Sequence, residues 1–283
     1  METIRLFKSA EGEWLTNVDL FNSLQKLKAA ECDILYIHSS LSFGIPNQEL
    51  RRSDLLASIL DVIRELKVST ICMPTFTFSY CNKQIYDKQN SRSKMGALNE
   101  FFRKQNNVIR SNDPLMSVAV SGRNTCLANG ISTHSIGDNS TFDILHHTSN
   151  VKFLFLGTKM GDCFTYMHYL EWLFGVPYRY ERRFTGSSVL DGNIKRNEFD
   201  LFVRYKGVYP NSGSYDYEEK MYASNKALRG KFGDSSISVV DEKAATLTYL
   251  ECLQNDTFFF VNIEDKAYYK DKTFLLDKEM VAL

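Results

Sequence analysis

Apolar residues recur along this chain at two alternating periods. Residues 18–30 place Leu20, Phe21, Leu24 and Leu27 on one helical face. The run Asp33–His38 is short, apolar and flanked by polar residues, which predicts a buried strand. Ser53 is positioned to cap a second helix, and Leu55, Leu56, Ile59, Leu60, Ile63 and Leu66 carry it to about Lys67. Val68–Met73 is a second strand, stopped by Pro74. Strand, helix and strand within about 40 residues predict a βαβ unit with a parallel pair and a right-handed crossover. Residues 79–95 are polar and read as loop. Further helices are expected over 96–104, 163–174 and 216–228, and from an Asp241 cap to Leu253. Buried strands are expected at Ser117–Val120, Val151–Leu156 and Ser236–Val240. Phe199, Leu201, Val203 and Tyr205 alternate, which predicts a half-buried strand over 198–209. Helices and strands alternate through most of the chain, the pattern of an α/β sandwich.

Charge narrows the function. Lys plus Arg is 34 and Asp plus Glu is 34, so the formal net charge is zero. A nucleic-acid binder needs a cationic surface to displace phosphate counterions, and this balance disfavours one. The six cysteines, at positions 32, 72, 81, 126, 163 and 252, form no CxxC pair and no zinc spacing. They read as reduced core thiols of a cytoplasmic protein. No window of 18 apolar residues or leader-like apolar start is present, so no membrane association is expected. No repeat or Pro-rich linker divides the 283 residues, which predicts one domain over 1–283.

Candidate chemistry gathers after the strands. Ser39, Ser40 and Leu41 follow the first strand, and Pro74, Thr75 and Phe76 follow the second. The carboxyl edge of a parallel sheet is where α/β proteins hold ligands, although each segment alone also fits a plain turn. On a helix, His168 and Glu171 lie three apart, with Thr165 one turn earlier. An imidazole with a nearby carboxylate is general-base architecture, but on spacing alone a surface salt bridge is the commoner outcome. Cys163 and His168 are five apart and share no helical face, so a Cys–His nucleophile is disfavoured. His146–His147 lacks a third ligand at metal spacing, and Gly157–Gly161 fits neither a dinucleotide nor a Walker signature. Arg110 beside the Asp113–Pro114 turn fits either an anion ligand or a solvated arginine.

Taken in order, the segments HSSLSFG at 38–44, MPTFTFS at 73–79, SKMGALNEFFR at 93–103, RSNDPLMSVAVSG at 110–122, FLFLGTKMGDCFTYMHYLE at 153–171 and RFTG at 183–186 are similar to the aminoglycoside 3-N-acetyltransferase family. The resemblance implies a single α/β/α sandwich with a mixed, largely parallel central sheet, unrelated to GNAT acetyltransferases. It implies acetyl-CoA or another short acyl-CoA as co-substrate and no metal. His168 would be the base of a Thr-x-x-His-x-x-Glu segment with Thr165 and Glu171. Ser39, Ser40, Leu41, Pro74, Thr75, Phe76, Ser93, Met95 and Ser111 would lie near the CoA arm.

Two departures direct the expected acceptor. Asp113 stands where resistance enzymes of the family carry a histidine before the proline, and VPYRYERRFTG at 176–186 resembles a branch found among cell-surface polysaccharide enzymes. They imply N-acylation of a nucleotide-linked amino sugar for polysaccharide or O-antigen biosynthesis, with Arg110, Arg179, Arg182 and Arg183 as candidate diphosphate ligands. Glu171 or Asp113 would hold the imidazole. The alternatives are an aminoglycoside-acetylating resistance enzyme of the same chemistry and a non-catalytic α/β ligand-binding protein. A homodimer is the base-rate assembly.

Overall fold

The computed structural model describes residues 2–130 and 132–263; the part of the expected domain at 264–283 lies outside them. In chain order, β1 (Arg5–Lys8) and β2 (Trp14–Thr16) lead into α1 (Asn17–Lys26), β3 (Ile34–Ser39), β4 (Ile45–Pro46), α2 (Arg52–Glu65), β5 (Thr70–Pro74) and β6 (Tyr86–Asp87). Next come α3 (Ala97–Phe102), β7 (Ile109–Arg110), β8 (Val118–Gly122), α4 (Cys126–Asn129), α5 (Thr141–His147) and β9 (Val151–Leu156). The chain continues through α6 (Met160–Cys163), α7 (Met167–Phe174), β10 (Arg179–Leu190), β11 (Asn193–Arg204) and β12 (Val208–Pro210). It closes with α8 (Gly213–Ala223), β13 (Ala227–Phe232), β14 (Ser235–Asp241), α9 (Glu242–Asn255) and β15 (Val261–Ile263).

The central sheet has seven strands in the order β13-β14-β9-β3-β5-β8-β7. β3 pairs in parallel with both β5 and β9, so the expected parallel pair across α2 is present. The outer pairings are antiparallel, yet only β14 and β8 run against the rest, so five of the seven strands share one direction. Along each inner strand successive side chains enter opposite layers. Leu35, Ile37, Ile71, Met73, Leu154 and Leu156 pack with α1, α2 and α3. Ile34, Tyr36, Cys72, Phe153 and Phe155 pack on the other face with α5, α7, α8 and α9. Burial on both faces is why these strands read as continuous apolar runs. The architecture is the α/β/α sandwich expected from the resemblance.

Local chemistry explains where the boundaries move. α1 starts at a capping box in which the Thr16 hydroxyl accepts from Asp19 N–H and the Asp19 carboxylate accepts from Thr16 N–H. α2 is capped at Arg51, not Ser53, whose hydroxyl donates to Asp54. Asp241 sits at the N-cap of α9 without a side-chain bond. The helix expected over 216–228 ends early, because Asn225 takes a left-handed conformation and residues 227–232 turn back as β13. The helix expected over 163–174 is interrupted at Phe164, so Thr165 precedes α7 instead of lying on it. The strand expected over 198–209 stops at Arg204 as the second half of the 12-residue β11, whose antiparallel partner, β10, is new, and Val208–Pro210 form the separate β12 paired with β15.

Candidate active site

The carboxyl ends of β3, β5 and β9 meet at one edge of the sheet, and the loops after them are tied together. Asn99 of α3 accepts from Ser39 Oγ at 2.8 Å and donates to the Pro74 carbonyl at 2.8 Å, clamping the ends of β3 and β5. Ser40 N–H donates to the Leu156 carbonyl, and its hydroxyl donates to Gly157 O. Leu41 is held at φ +59°, a strained conformation for a branched residue. Gly157 is required there, since a Cβ would meet Ser42 N at 2.8 Å. Lys94 N–H donates to the Phe76 carbonyl, which brings Ser93 and Met95 to the same edge.

Not every expected ligand contact is available. Pro74, Thr75 and Phe76 are buried, and the Thr75 hydroxyl and carbonyl face Ser117 and Arg110. The Ser111 hydroxyl accepts from Val118 N–H. The Ser93 hydroxyl accepts from Met95 N–H. These residues shape the edge; Ser40 and Leu41 are its more open members.

Beside this edge opens a cavity of about 530 Å³. Its lining includes Arg52, Arg92, Lys94 and Lys104, with Glu100 as the one acid, and Lys104 is paired to Glu100 at 2.8 Å. Gly96, in its wall, lies against the Ser39 carbonyl, where a Cβ would approach to 2.9 Å. The cavity wall at Gly96 therefore touches the end of β3.

α7 begins over the same strand ends. Phe164, just before it, packs edge-on to His38 and Phe155. His168 is the second residue of α7. Its side chain is enclosed on most sides yet 40% accessible, while Glu171 is 4% and Arg179 7% exposed. Nδ1 of His168 lies 3.3 Å from Glu171 Oε2 and 2.9 Å from Arg179 Nη2. Tyr178 donates its hydroxyl to Glu171 Oε1 at 2.9 Å. Arg179 Nε lies 2.7 Å from Glu171 Oε2, with its N–H turned off that line. Burial alone would raise the Glu171 carboxyl; Arg179, then His168 and Tyr178, outweigh it and hold the group at about 2. Desolvation, and after it the Arg179 charge, lowers His168 below its ordinary 6.5 against the upward pull of Glu171. Its place in the first turn of a helix acts in the same sense. The imidazole is thus neutral at neutral pH, the state a base requires.

Asp113 does not join this group. Its Oδ1 accepts from Leu115 N–H, Met116 N–H and the Ser135 hydroxyl, and burial raises its pKa. It stabilises a turn beside a second cavity of about 290 Å³ that is also lined by His134 and Phe199. Thr165 donates to the Cys163 carbonyl. Among the four arginines, Arg110 is buried and donates to Thr75 O, Lys88 O and Ser91 O. Arg183 grips Asp200 through two bonds of 3.0 Å. Arg182 lies over the Phe184 ring. Arg179 is committed to His168 and Glu171. The β10–β11 hairpin carries Arg179, Glu181 and Arg183 on one face, opposite Arg204, Phe202 and Asp200. His134 approaches Glu181 to 3.7 Å and Asp200 to 4.0 Å, a trio with metal-ligand chemistry in which Arg183 already meets Asp200.

Residues 36–254 match the family model described as aminoglycoside 3-N-acetyltransferase. No curated protein is significantly similar in sequence. Among solved structures, AAC-IIIb in a binary complex with CoASH is 19% identical, with a TM-score of 0.73 over 85% of this chain and 97% of that one. The YokD protein from Bacillus subtilis is 18% identical, with a TM-score of 0.69 over 86% of this chain and all of its own. AAC-VIa bound to sisomicin is 16% identical, with a TM-score of 0.69 over 84% of this chain and 97% of that one. These likenesses share the fold, and the family model spans well over half of the sequence. The chain belongs to the aminoglycoside 3-N-acetyltransferase family, and is an acetyltransferase of that family.

Proposed function

We propose that this protein transfers an acetyl or other short acyl group from acyl-CoA to an amine of an aminoglycoside-type acceptor, with His168 as general base. The observation that carries the reading is the partly open imidazole of His168 backed by a buried Glu171 at 3.3 Å, in a chain whose strand edge also borders a basic cavity. A CoA chain bears three phosphates at one end and a thioester at the other. Arg52, Arg92 and Lys94 suit the phosphates, and the Ser39–Leu41 loop suits the thioester end. AAC-IIIb binds CoASH on the same fold, which supports this arrangement. With Nδ1 facing Glu171, Nε2 is the ring nitrogen left for an acceptor. Nε2 takes the proton released as the amine adds to the thioester carbonyl, and Glu171 stabilises the resulting imidazolium. Thr165 would have to give up its bond to Cys163 O to serve the oxyanion.

For the acceptor, charge favours a polyamine. The arginines expected to grip a diphosphate already hold internal partners, Arg110, Arg179 and Arg183 through hydrogen bonds and Arg182 over the Phe184 ring, so the support for a nucleotide-linked sugar falls away. Glu181 and Glu198 are exposed on the hairpin face that starts at Arg179, with Glu181 3.7 Å from His134 and Glu198 3.6 Å from Arg183. Glu181 is two residues from Arg179, roughly 7 Å along the strand. Carboxylates so placed can take the ammonium groups of a cationic sugar. AAC-VIa is a neighbour that binds sisomicin. An intact base and carboxylate disfavour a non-catalytic binding protein.

Thiol release from acetyl-CoA, with product masses, tests the reading on a panel of aminoglycosides and nucleotide-linked amino sugars. Turnover of aminoglycosides is expected. Turnover confined to nucleotide-linked sugars would replace the acceptor and leave the chemistry; thiol release with no amine in either class would end the proposal. The donor site has its own check. Replacing Arg92 and Lys94 together with alanine is expected to raise the KM for acyl-CoA by about tenfold, more at low salt, with kcat little changed. An unaltered KM would move the phosphates elsewhere.

A further inference from the structure

Both close contacts of His168 fall on the same atom, and they make opposite demands on it. A guanidinium only donates, so the 2.9 Å contact from Arg179 Nη2 requires a lone pair on Nδ1 and puts the ring proton on Nε2. A carboxylate only accepts, so the 3.3 Å contact to Glu171 Oε2 requires Nδ1–H and leaves the lone pair on Nε2. One nitrogen cannot serve both. The shorter contact belongs to Arg179, which describes a ring whose outward nitrogen carries a proton and cannot act as a base. Base work at Nε2 needs the other tautomer, and Glu171 is already in place to receive it.

We propose that Arg179 is a positioning residue that selects the His168 tautomer: it holds the ring in the Nε2–H form, and it releases the base when its guanidinium turns from Nδ1 onto Glu171. The inference rests on the reading of His168 as the base. The turn required is small. Arg179 Nε already lies 2.7 Å from Glu171 Oε2 with its N–H misaligned, and among the described residues it is a buried donor without a hydrogen-bond partner. Rotation of the guanidinium completes that bond as it vacates Nδ1. Arg179 Nη1 is anchored on the Phe202 carbonyl at 3.2 Å, and the group lies 6.0 Å from the Phe202 ring centre, so it pivots in a fixed place. In the exchange the ring gives its Nε2 proton to solvent and takes one at Nδ1, with no net change in charge. During transfer Nε2 accepts the amine proton, and Nδ1–H of the imidazolium bonds to Glu171.

The charged groups around the ring set the sign of a test. Glu171 of α7 favours imidazolium, whereas Arg179 of β10 and Arg204 of β11 oppose it; Tyr178 acts through the second oxygen of Glu171. Removing Arg179 therefore raises the proton affinity of His168 and frees Nδ1 for Glu171. Nitrogen-15 NMR of the full chain, with His168 assigned by loss of its signals in His168→Gln, reads the tautomer directly. The free wild-type protein is expected as Nε2–H near pH 7.5, and Arg179→Met as Nδ1–H. The acid limb of kcat/KM is expected to move up by about one pH unit in Arg179→Met, a roughly tenfold deficit at acid pH that shrinks as pH rises. Arg179→Lys, which keeps a donor and a charge, is expected to hold the limb nearer to wild type.

An Nδ1–H ring in the free wild-type protein overturns the proposal without any variant, so misfolding of Arg179→Met cannot shelter it. A raised acceptor KM with an unmoved acid limb also overturns it, and makes Arg179 a substrate ligand. Undiminished turnover in His168→Ala would remove the base assignment instead, a result separate from the tautomer measured by NMR.

Discussion

Replacing His168 with alanine is expected to lower kcat by roughly 10²–10⁴-fold, with the KM for acyl-CoA little changed. The size follows from what is lost. The attacking amine must shed a proton as the tetrahedral adduct forms, and His168 is the titratable group that combines an open edge with a pKa below 6.5. His38, by contrast, is fully enclosed, is stacked on Phe155 and is held near 3 by desolvation, so it cannot substitute. His146, at the end of α5, is tied to Tyr166 and Glu242. Loss of the base leaves positioning of the two substrates intact, so residual turnover above the uncatalysed rate is expected, rising with pH as more amine is deprotonated. Steady-state thiol release at saturating acyl-CoA, across pH 6–9, measures it. Turnover within a few-fold of wild type would take His168 out of the mechanism.

The parts of the fold legible in the sequence are those dictated by burial on two sides or by one clean stripe. Ile34–Ile37 and Val151–Leu156 enter both layers, so nearly every residue is apolar and the strand is visible as a run. α2 presents one apolar stripe, visible as a helical period. β10 shows neither signal. Its residues 179–183 are polar and charged, because one of its faces lines the site and is partly open to solvent. What fixes it is pairing with β11 over 12 residues, a long-range property no local window contains. The same separation conceals Asn99, Tyr178 and the contacts of Arg179 with His168 and Glu171. The His168–Glu171 spacing was legible, but Arg179 joins the pair only because the hairpin returns to α7, and spacing along the chain made it a diphosphate ligand. Asp113 illustrates the converse. A carboxylate before proline looks like chemistry in sequence, while its three accepted bonds make it the keystone of a turn. Gly186, the last residue of the RFTG segment, is fixed sterically: a Cβ there would meet the Tyr80 ring at 2.7 Å.

The carboxylate behind the base carries the second large effect, on stability as well as on rate. Glu171→Gln is expected to destabilise the protein by about 3–5 kcal/mol near neutral pH, because it leaves the buried Arg179 guanidinium without its counter-charge. The pH dependence gives the mechanism a signature. The Glu171 carboxyl is held at about 2 in the folded protein against an ordinary 4.5, so its folded pKa is depressed. A depressed carboxyl contributes stability that is fully present above the unfolded value and disappears as pH falls through the folded one. A displacement of that size corresponds to something on the order of 3 kcal/mol. The Glu171 contribution to the gap between wild type and Glu171→Gln should therefore shrink as pH falls below 4.5. Urea denaturation of both proteins at pH 7, 5 and 3.5 resolves this. A gap that persists undiminished at pH 3.5 would assign the loss to packing and to the Tyr178 hydrogen bond, not to the ion pair. In the proposed mechanism the same variant also lowers kcat, since a neutral amide cannot stabilise an imidazolium at His168. Rate and stability fall together here because one carboxylate both neutralises Arg179 in the folded core and waits for the proton at Nδ1.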